Sequence, residues 1–248
     1  DNGLDWTSTI AIIPWNIYLF YGDSKLLADC YENIKRYVDY VDRTSPSGLT
    51  SWGRGDWVPV KSHSSKELTS SVYFYVDTKI LANAAKLFNK QEEYKHYQAL
   101  AEKIRQAIND KYLNRETGIY ASGVQTELSV PLMWGIVPKD MKAKVARNLA
   151  KKVEEAGFHL DVGVLGAKAI LNALSENGEA ETAYKVAAQD TYPSWGCWIA
   201  NGATTLLENW DLNATRDISD NHMMFGEIGG WFFKGLGGIK PDPEAPGF

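Results

Sequence analysis

The 248-residue chain sets 26 Lys and Arg against 31 Asp and Glu, a formal net charge of -5, and is 44% hydrophobic and 23% charged. Those proportions exclude an intrinsically disordered or fibrous chain, and the acidic balance, with no concentrated basic stripe, argues against a nucleic-acid partner. No apolar run approaches the roughly 18 residues that span a bilayer, so no membrane insertion is expected, and the length suits a single domain over residues 1–248.

Helical periodicity dominates from the start. "STIAIIPWNIYLFYG" and "SKLLADCYENIKRYVDYVDR" read as two helices parted at Gly22-Asp23, with Ser24 as the N-cap of the second. "ELTSSVYFYVDTKILANAAKLFN" is apolar almost all round and "QEEYKHYQALAEKIRQAINDKYL" has a charged face, which predicts an inner and an outer helix. A third pair is "QTELSVPLMWGIV" with "KDMKAKVARNLAKKVEEAG", turned at Pro138, and a fourth is "GVLGAKAILNALSENG" with "EAETAYKVAAQ". The fifth pairs "WIANGATTLLENW" with "NHMMFGEIGGWFFKGLGG". No β-branched alternating run competes for a sheet, so the fold class is all-α. Hairpins without a fixed sequence period favour a closed helical toroid over an α-solenoid.

The chain carries 9 Trp, several beside Gly and polar residues in "TSWGRGDWVP", "YPSWGCWIANG" and "GEIGGWFF". Flat apolar faces next to a few polar groups suit the walls of a sugar pocket. Within "NGATTLLENW", Glu208 follows an apolar helical run, Leu206 and Leu207, and precedes Trp210, which is the position of a catalytic carboxylate in an aromatic pocket or of a solvated helix end. "GRGDW" sets Asp56 beside Trp57 in a glycine-rich turn that either closes a loop or presents a carboxylate to hydroxyl groups.

Other features point to no chemistry. His63 and His96 have no paired carboxylate or cysteine at ligand spacing, His159 stands alone before "LDVGVLG", and Cys30 and Cys197 form neither a CxxC nor a zinc pattern, so neither a metal nor a cofactor is expected. "GGWFFKGLGG" follows no strand and lacks a phosphate-binding pattern. The charges of "KAKVARNLAKKVEE" fit a solvated outer helix face.

Taken in order, "DWTSTIAIIPWNIYLFYGD", "SWGRGDW", "SSVYFYVDTKILANAAKLF", "QTELSVPLMWGIVP", "GVLGAKAILNALSENGEAETAYKVAAQDTYPSWG", "YPSWGCWIANGATTLLENW" and "DNHMMFGEIGGWFF" cover nearly the whole chain. They resemble the catalytic domain of the bacterial α-L-rhamnosidases of glycoside hydrolase family 78. The resemblance implies an all-α (α/α)6 toroid of six helical hairpins, inverting hydrolysis of terminal α-L-rhamnosides, and accessory β-sandwich domains in the parent chain. Only five hairpins are visible, and the family's acidic run of the type Asp-Cys-Pro-x-Arg-x-Glu-Arg is missing, so the first hairpin and the general acid are expected to lie upstream.

Carried over residue by residue, the match makes Glu208 the general base. It places Trp6, Asp56, Trp57, Trp198, Trp210 and His222 at the substrate, with Asp5 less firmly implied. After the first of these tryptophans the family more often has Gly-Asp-Ala, where this chain reads Thr7-Ser8-Thr9. Two other readings remain open at this level. One is a six-hairpin glycosidase of another specificity, such as one acting on glucosides or unsaturated uronides, for which Arg54 is the only obvious residue near the "GRGDW" loop to meet a substrate carboxylate. The other is a carbohydrate-binding helical domain in which Glu208 performs no chemistry.

Overall fold

Apolar residues spaced three and four apart make α3 (Lys25–Thr44) one-sided, with Leu27, Tyr31, Ile34, Val38 and Val41 buried along one stripe. The computed structural model describes residues 3–247, and contacts within them group into two compact units. The first unit holds the chain up to Arg54, Lys66–Lys111 and the segment from Lys240. Here α1 (Leu4–Thr7) and α2 (Thr9–Tyr21) lead into α3. Gly22 stops α2 in the left-handed conformation, at φ 69°, and its N–H bonds to Tyr18 O. Ser24 stands at the N-cap of α3, but the side chain that serves the helix start is that of Asp23, whose Oδ1 accepts the Lys25 N–H at 2.8 Å.

The inner and outer characters read from the next pair are seen in burial. In α4 (Lys66–Leu87) every residue from Leu68 to Thr78 is buried, whereas α5 (Gln91–Tyr112) buries the single face of Tyr97, Leu100, Ala101, Ile104 and Ile108.

The second unit holds Gly55–Ser65 and Tyr112–Ile239. It opens with a small antiparallel ribbon that the sequence reading did not anticipate, β1 (Leu113–Asn114) against β2 (Ile119–Tyr120), turned at Gly118 with φ 75°. Helix α6 (Gln125–Met133) is buried from Gln125 to Leu132, and α7 (Lys142–Glu155) buries one stripe of Val145, Leu149 and Val153. Helices α8 (Val164–Glu176) and α9 (Ala180–Ala187) follow, and α6 packs on both α7 and α8.

The fifth expected pair differs from its sequence reading. Helix α10 (Trp195–Ala200) ends before "NGATTLLENW", and the segment 201–222 is irregular. A 3-10 turn (Met223–Phe225), α11 (Glu227–Trp231) and a π-turn (Phe232–Leu236) complete the unit. Two leucines are too short an apolar run to hold a helix against polar neighbours that bond their own backbone. Asn209 Oδ1 accepts the Asp211 N–H, Asp211 Oδ1 accepts the Asn213 N–H, and Ser219 Oγ accepts the Asn221 N–H.

Candidate active site

Glu208 therefore sits on a loop, and the loop is clamped at its base. The Glu208 N–H donates to Ser219 O at 3.0 Å, the His222 N–H donates to Leu206 O at 2.9 Å, and Thr205 Oγ1 donates to Asp220 O. These strand-like bonds bring residues 205–208 alongside 219–222 and put Glu208 next to His222. The Ser219 N–H holds Glu208 Oε2 at 3.1 Å, while Oε1 faces His222 Nε2 at 4.0 Å, too long for a direct hydrogen bond. Met224 N–H donates to His222 Nδ1 at 3.1 Å. In the neutral imidazole this places the ring hydrogen on Nε2, the nitrogen turned to the carboxylate. The two side chains remain 21% and 36% exposed, so both can be reached by a ligand.

Beneath the loop lies a cluster of Trp195, Trp198, Trp210 and Phe225. Trp198 and Trp210 stack at 4.8 Å and 19°, Trp195 meets Trp210 edge-on at 5.3 Å, and Phe225 lies 4.3 Å from Trp210. Each indole N–H donates to a backbone carbonyl: Trp195 to Phe225, Trp198 to Trp210, and Trp210 to Val162. Buried indoles need such partners, and here they are supplied by the loops that the rings support.

Val162 opens the segment on which the unit's other motif converges. Asp56 Oδ2 accepts from Gly163 N–H (2.8 Å) and Thr126 Oγ1 (2.5 Å), and its Oδ1 accepts from Leu165 N–H (2.7 Å) and Gly166 N–H (3.1 Å). Trp57 O takes the remaining N–H of the turn, from Val164 at 2.9 Å. Helix starts leave such donors without intrahelical partners, and "GDW" satisfies those of α8 from more than a hundred residues away. A Cβ at Gly163 would collide with Trp57 O, and one at Gly166 with Thr126 Oγ1, which explains both glycines. Burial pushes the Asp56 carboxyl above its ordinary pKa, against the opposing pull of these four donors. Asp161 fastens the rest of the loop, accepting from Lys61 N–H, Ser62 N–H and Ser62 Oγ.

Over residues 1–236 the chain matches the family described as the bacterial alpha-L-rhamnosidase 6 hairpin glycosidase domain. It belongs to that family. An alpha-L-rhamnosidase of Formosa agariphila is 29% identical over 95% of this chain and 27% of its own length, and one of Streptomyces avermitilis is 29% identical over 95% of this chain and 23% of its own. Among solved structures, the alpha-L-rhamnosidase of Dictyoglumus thermophilum superposes with a TM-score of 0.88 at 37% identity, covering 94% of this chain and 27% of that one. The Streptomyces avermitilis alpha-L-rhamnosidase complexed with L-rhamnose gives 0.88 at 27% identity, covering 98% and 25%. The chain thus spans about a quarter of the length of these relatives. The all-α, six-hairpin glycosidase fold class expected from the sequence is the fold class of the family.

Within this rhamnosidase domain the residues singled out from sequence separate into groups. Glu208 and His222 come together as a part-exposed pair. Trp198 and Trp210, expected as pocket walls, are only 2% and 1% exposed, so they form the floor that carries the loop. Trp198 also borders a cavity of about 440 Å³ with Trp195, Ile199, Leu206, Ile228 and Phe232, and neither Glu208 nor His222 lines it. Asp56, expected at the substrate, has both oxygens engaged at the start of α8, while Trp57 beside it is part-exposed. Trp6 and Asp5 belong to the first unit, where Asp5 accepts the Arg54 N–H with both oxygens at 2.9 Å.

Sequence reading missed Glu127 as a structural group. This buried carboxylate accepts from Ser65 N–H, Ser122 N–H and Oγ, and Gly123 N–H, which leaves it, like Asp56, without a free oxygen for acid catalysis. Among the described residues no three His, Cys, Asp or Glu side chains gather as a metal-holding group.

Proposed function

We propose that the chain is the helical catalytic domain of an enzyme that releases terminal α-L-rhamnose from rhamnosides with inversion, and that Glu208 is its general base. The observation that carries this reading is the Glu208 pair: one oxygen is anchored by Ser219 N–H, the other is open beside the Nε2 of His222, on an aromatic floor, at the position where the family resemblance puts the base. An ionised carboxylate with one free oxygen can take a proton from a water that attacks the anomeric carbon. His222 Nε2–H is placed to donate to a sugar hydroxyl. Trp57, part-exposed in the same unit, supplies a flat apolar face for the sugar ring and its methyl group.

Inversion needs a second carboxyl, protonated and about 6.5–9.5 Å from the first. Asp56 and Glu127 have both oxygens held by donors, so neither is free to be that group; we place the proton donor upstream, as the family resemblance implies, and the β-sandwich domains in the parent protein.

The test is release of rhamnose from an aryl α-L-rhamnoside by the full-length protein, with the anomer of the first-formed product read by NMR. Turnover that yields the inverted sugar and collapses in Glu208→Gln supports the assignment. Turnover unchanged in Glu208→Gln removes Glu208 from the chemistry, and a silent wild type removes the rhamnoside.

A further inference from the structure

The first unit holds a carboxyl group that none of this chemistry uses. Asp77 lies in the fully buried stretch of α4, with 0% of its surface exposed. Its Oδ2 is 2.7 Å from Ser8 Oγ, and its Oδ1 has no hydrogen-bond partner among the described residues. Ser8 Oγ is also 2.7 Å from Leu4 O, one helical turn back. A serine hydroxyl has one hydrogen, yet here it lies against two oxygens that can only accept if Asp77 is ionised. Both contacts are satisfied when Asp77 carries a proton.

We propose that Asp77 is a positioning residue that works in its neutral form: its carboxyl O–H donates to Ser8 Oγ, Ser8 gives its own hydrogen to Leu4 O, and this relay pins the turn that carries Trp6 to α4. The surroundings agree. No Lys, Arg or His is ion-paired to Asp77 among the described residues, and α2 contains no charged side chain at all. From α1 the nearest titratable group is Asp5, already bonded to the Arg54 N–H, and from α3 it is Tyr37, whose hydroxyl is pushed up chiefly by burial. Burial likewise pushes the Asp77 carboxyl up to about 8, with the Ser8 contact opposing it.

No substrate enters this relay, so its test is independent of rhamnosidase activity. Infrared spectra of the full chain with ¹³C-labelled aspartate are compared at pH 7 for wild type, Asp77→Asn and Ser8→Ala. A protonated-carboxyl band that disappears in Asp77→Asn and changes frequency in Ser8→Ala is the expected result; a wild type without that band overturns the proposal, and so does a band indifferent to both changes. Should Asp77→Asn not fold, the Ser8→Ala comparison decides alone.

The thermal midpoint gives a second reading. A folded state that keeps a proton the unfolded chain releases loses stability as pH rises from about 4 to about 8. Wild type and Asp77→Asn should therefore have similar midpoints near pH 4 and diverge toward pH 8, with the variant higher, while Asp56 contributes equally to both. Parallel profiles overturn the neutral form. Finally, the exchange Ser8→Asp with Asp77→Ser should melt above Asp77→Ser alone, and a double variant no more stable than the single one overturns the pairing.

Discussion

Asp56 in "GDW" and Glu208 in "ENW" are carboxylates set beside tryptophan on similar local sequence, and the second unit treats them oppositely. Asp56 is buried and receives four hydrogen bonds at the start of α8, so it holds a helix in place. Glu208 receives one bond from its own loop and faces a histidine with its other oxygen. A carboxylate becomes useful for proton transfer when it is held firmly but incompletely satisfied. The distinction lies in the donors that surround each group, and those donors come from distant parts of the chain.

Substitutions test that contrast, beginning with the largest effect. Glu208→Gln should lower rhamnosidase turnover in the full-length protein by on the order of 10³-fold or more, with a thermal midpoint near that of wild type, because only one exposed hydrogen bond changes. A variant that loses stability and keeps turnover would turn Glu208 into a second Asp56. Asp56→Ala should do the opposite. It strands four buried donors and should reduce unfolding free energy by about 3 kcal/mol or more, read by denaturant titration, while turnover per folded molecule is retained. Loss of turnover at unchanged stability would return Asp56 to the substrate.

Smaller changes sharpen the picture of the floor. Trp210→Phe removes the bond to Val162 O and reduces the stack on Trp198, and should destabilise by about 2 kcal/mol. It should also loosen Glu208, so kcat falls more than KM rises. Ser194→Ala removes the side chain that caps α10 by accepting the Cys197 N–H, and should destabilise by about 1 kcal/mol with no effect on turnover. A larger effect of the cap than of the tryptophan on kcat would show that α10, and not the indole floor, orients Glu208.

Residues of the candidate site could be named from sequence, but not which of them the fold would bring together. "GATTLLENW" and "DNHMMFG" pointed to Glu208 and His222, which the fold does set side by side. The expectation that Trp198 and Trp210 face the substrate overlooked their burial, which depends on Val162 and Phe225 arriving beneath them. Glu127 and Asp77 gave no signal in their own segments, since a carboxylate in an apolar run is informative only once its partners are known. "NGATTLLENW" was read as helical because two adjacent leucines fit a helix period as well as they fit a loop anchored at one end.

By itself the sequence determined the alternation of largely buried and one-sided helices from α4 to α9, and the family through its tryptophan and glycine motifs. Those properties are local: a period of 3.6 residues needs only neighbours within a turn or two to declare itself. Tertiary structure alone decided that 201–222 is a clamped loop, that Asp56 completes the start of α8, and that Ser8 meets Asp77. Hydrogen-bond saturation and burial belong to pairs of segments that can lie more than a hundred residues apart, and no local pattern records which pair will meet.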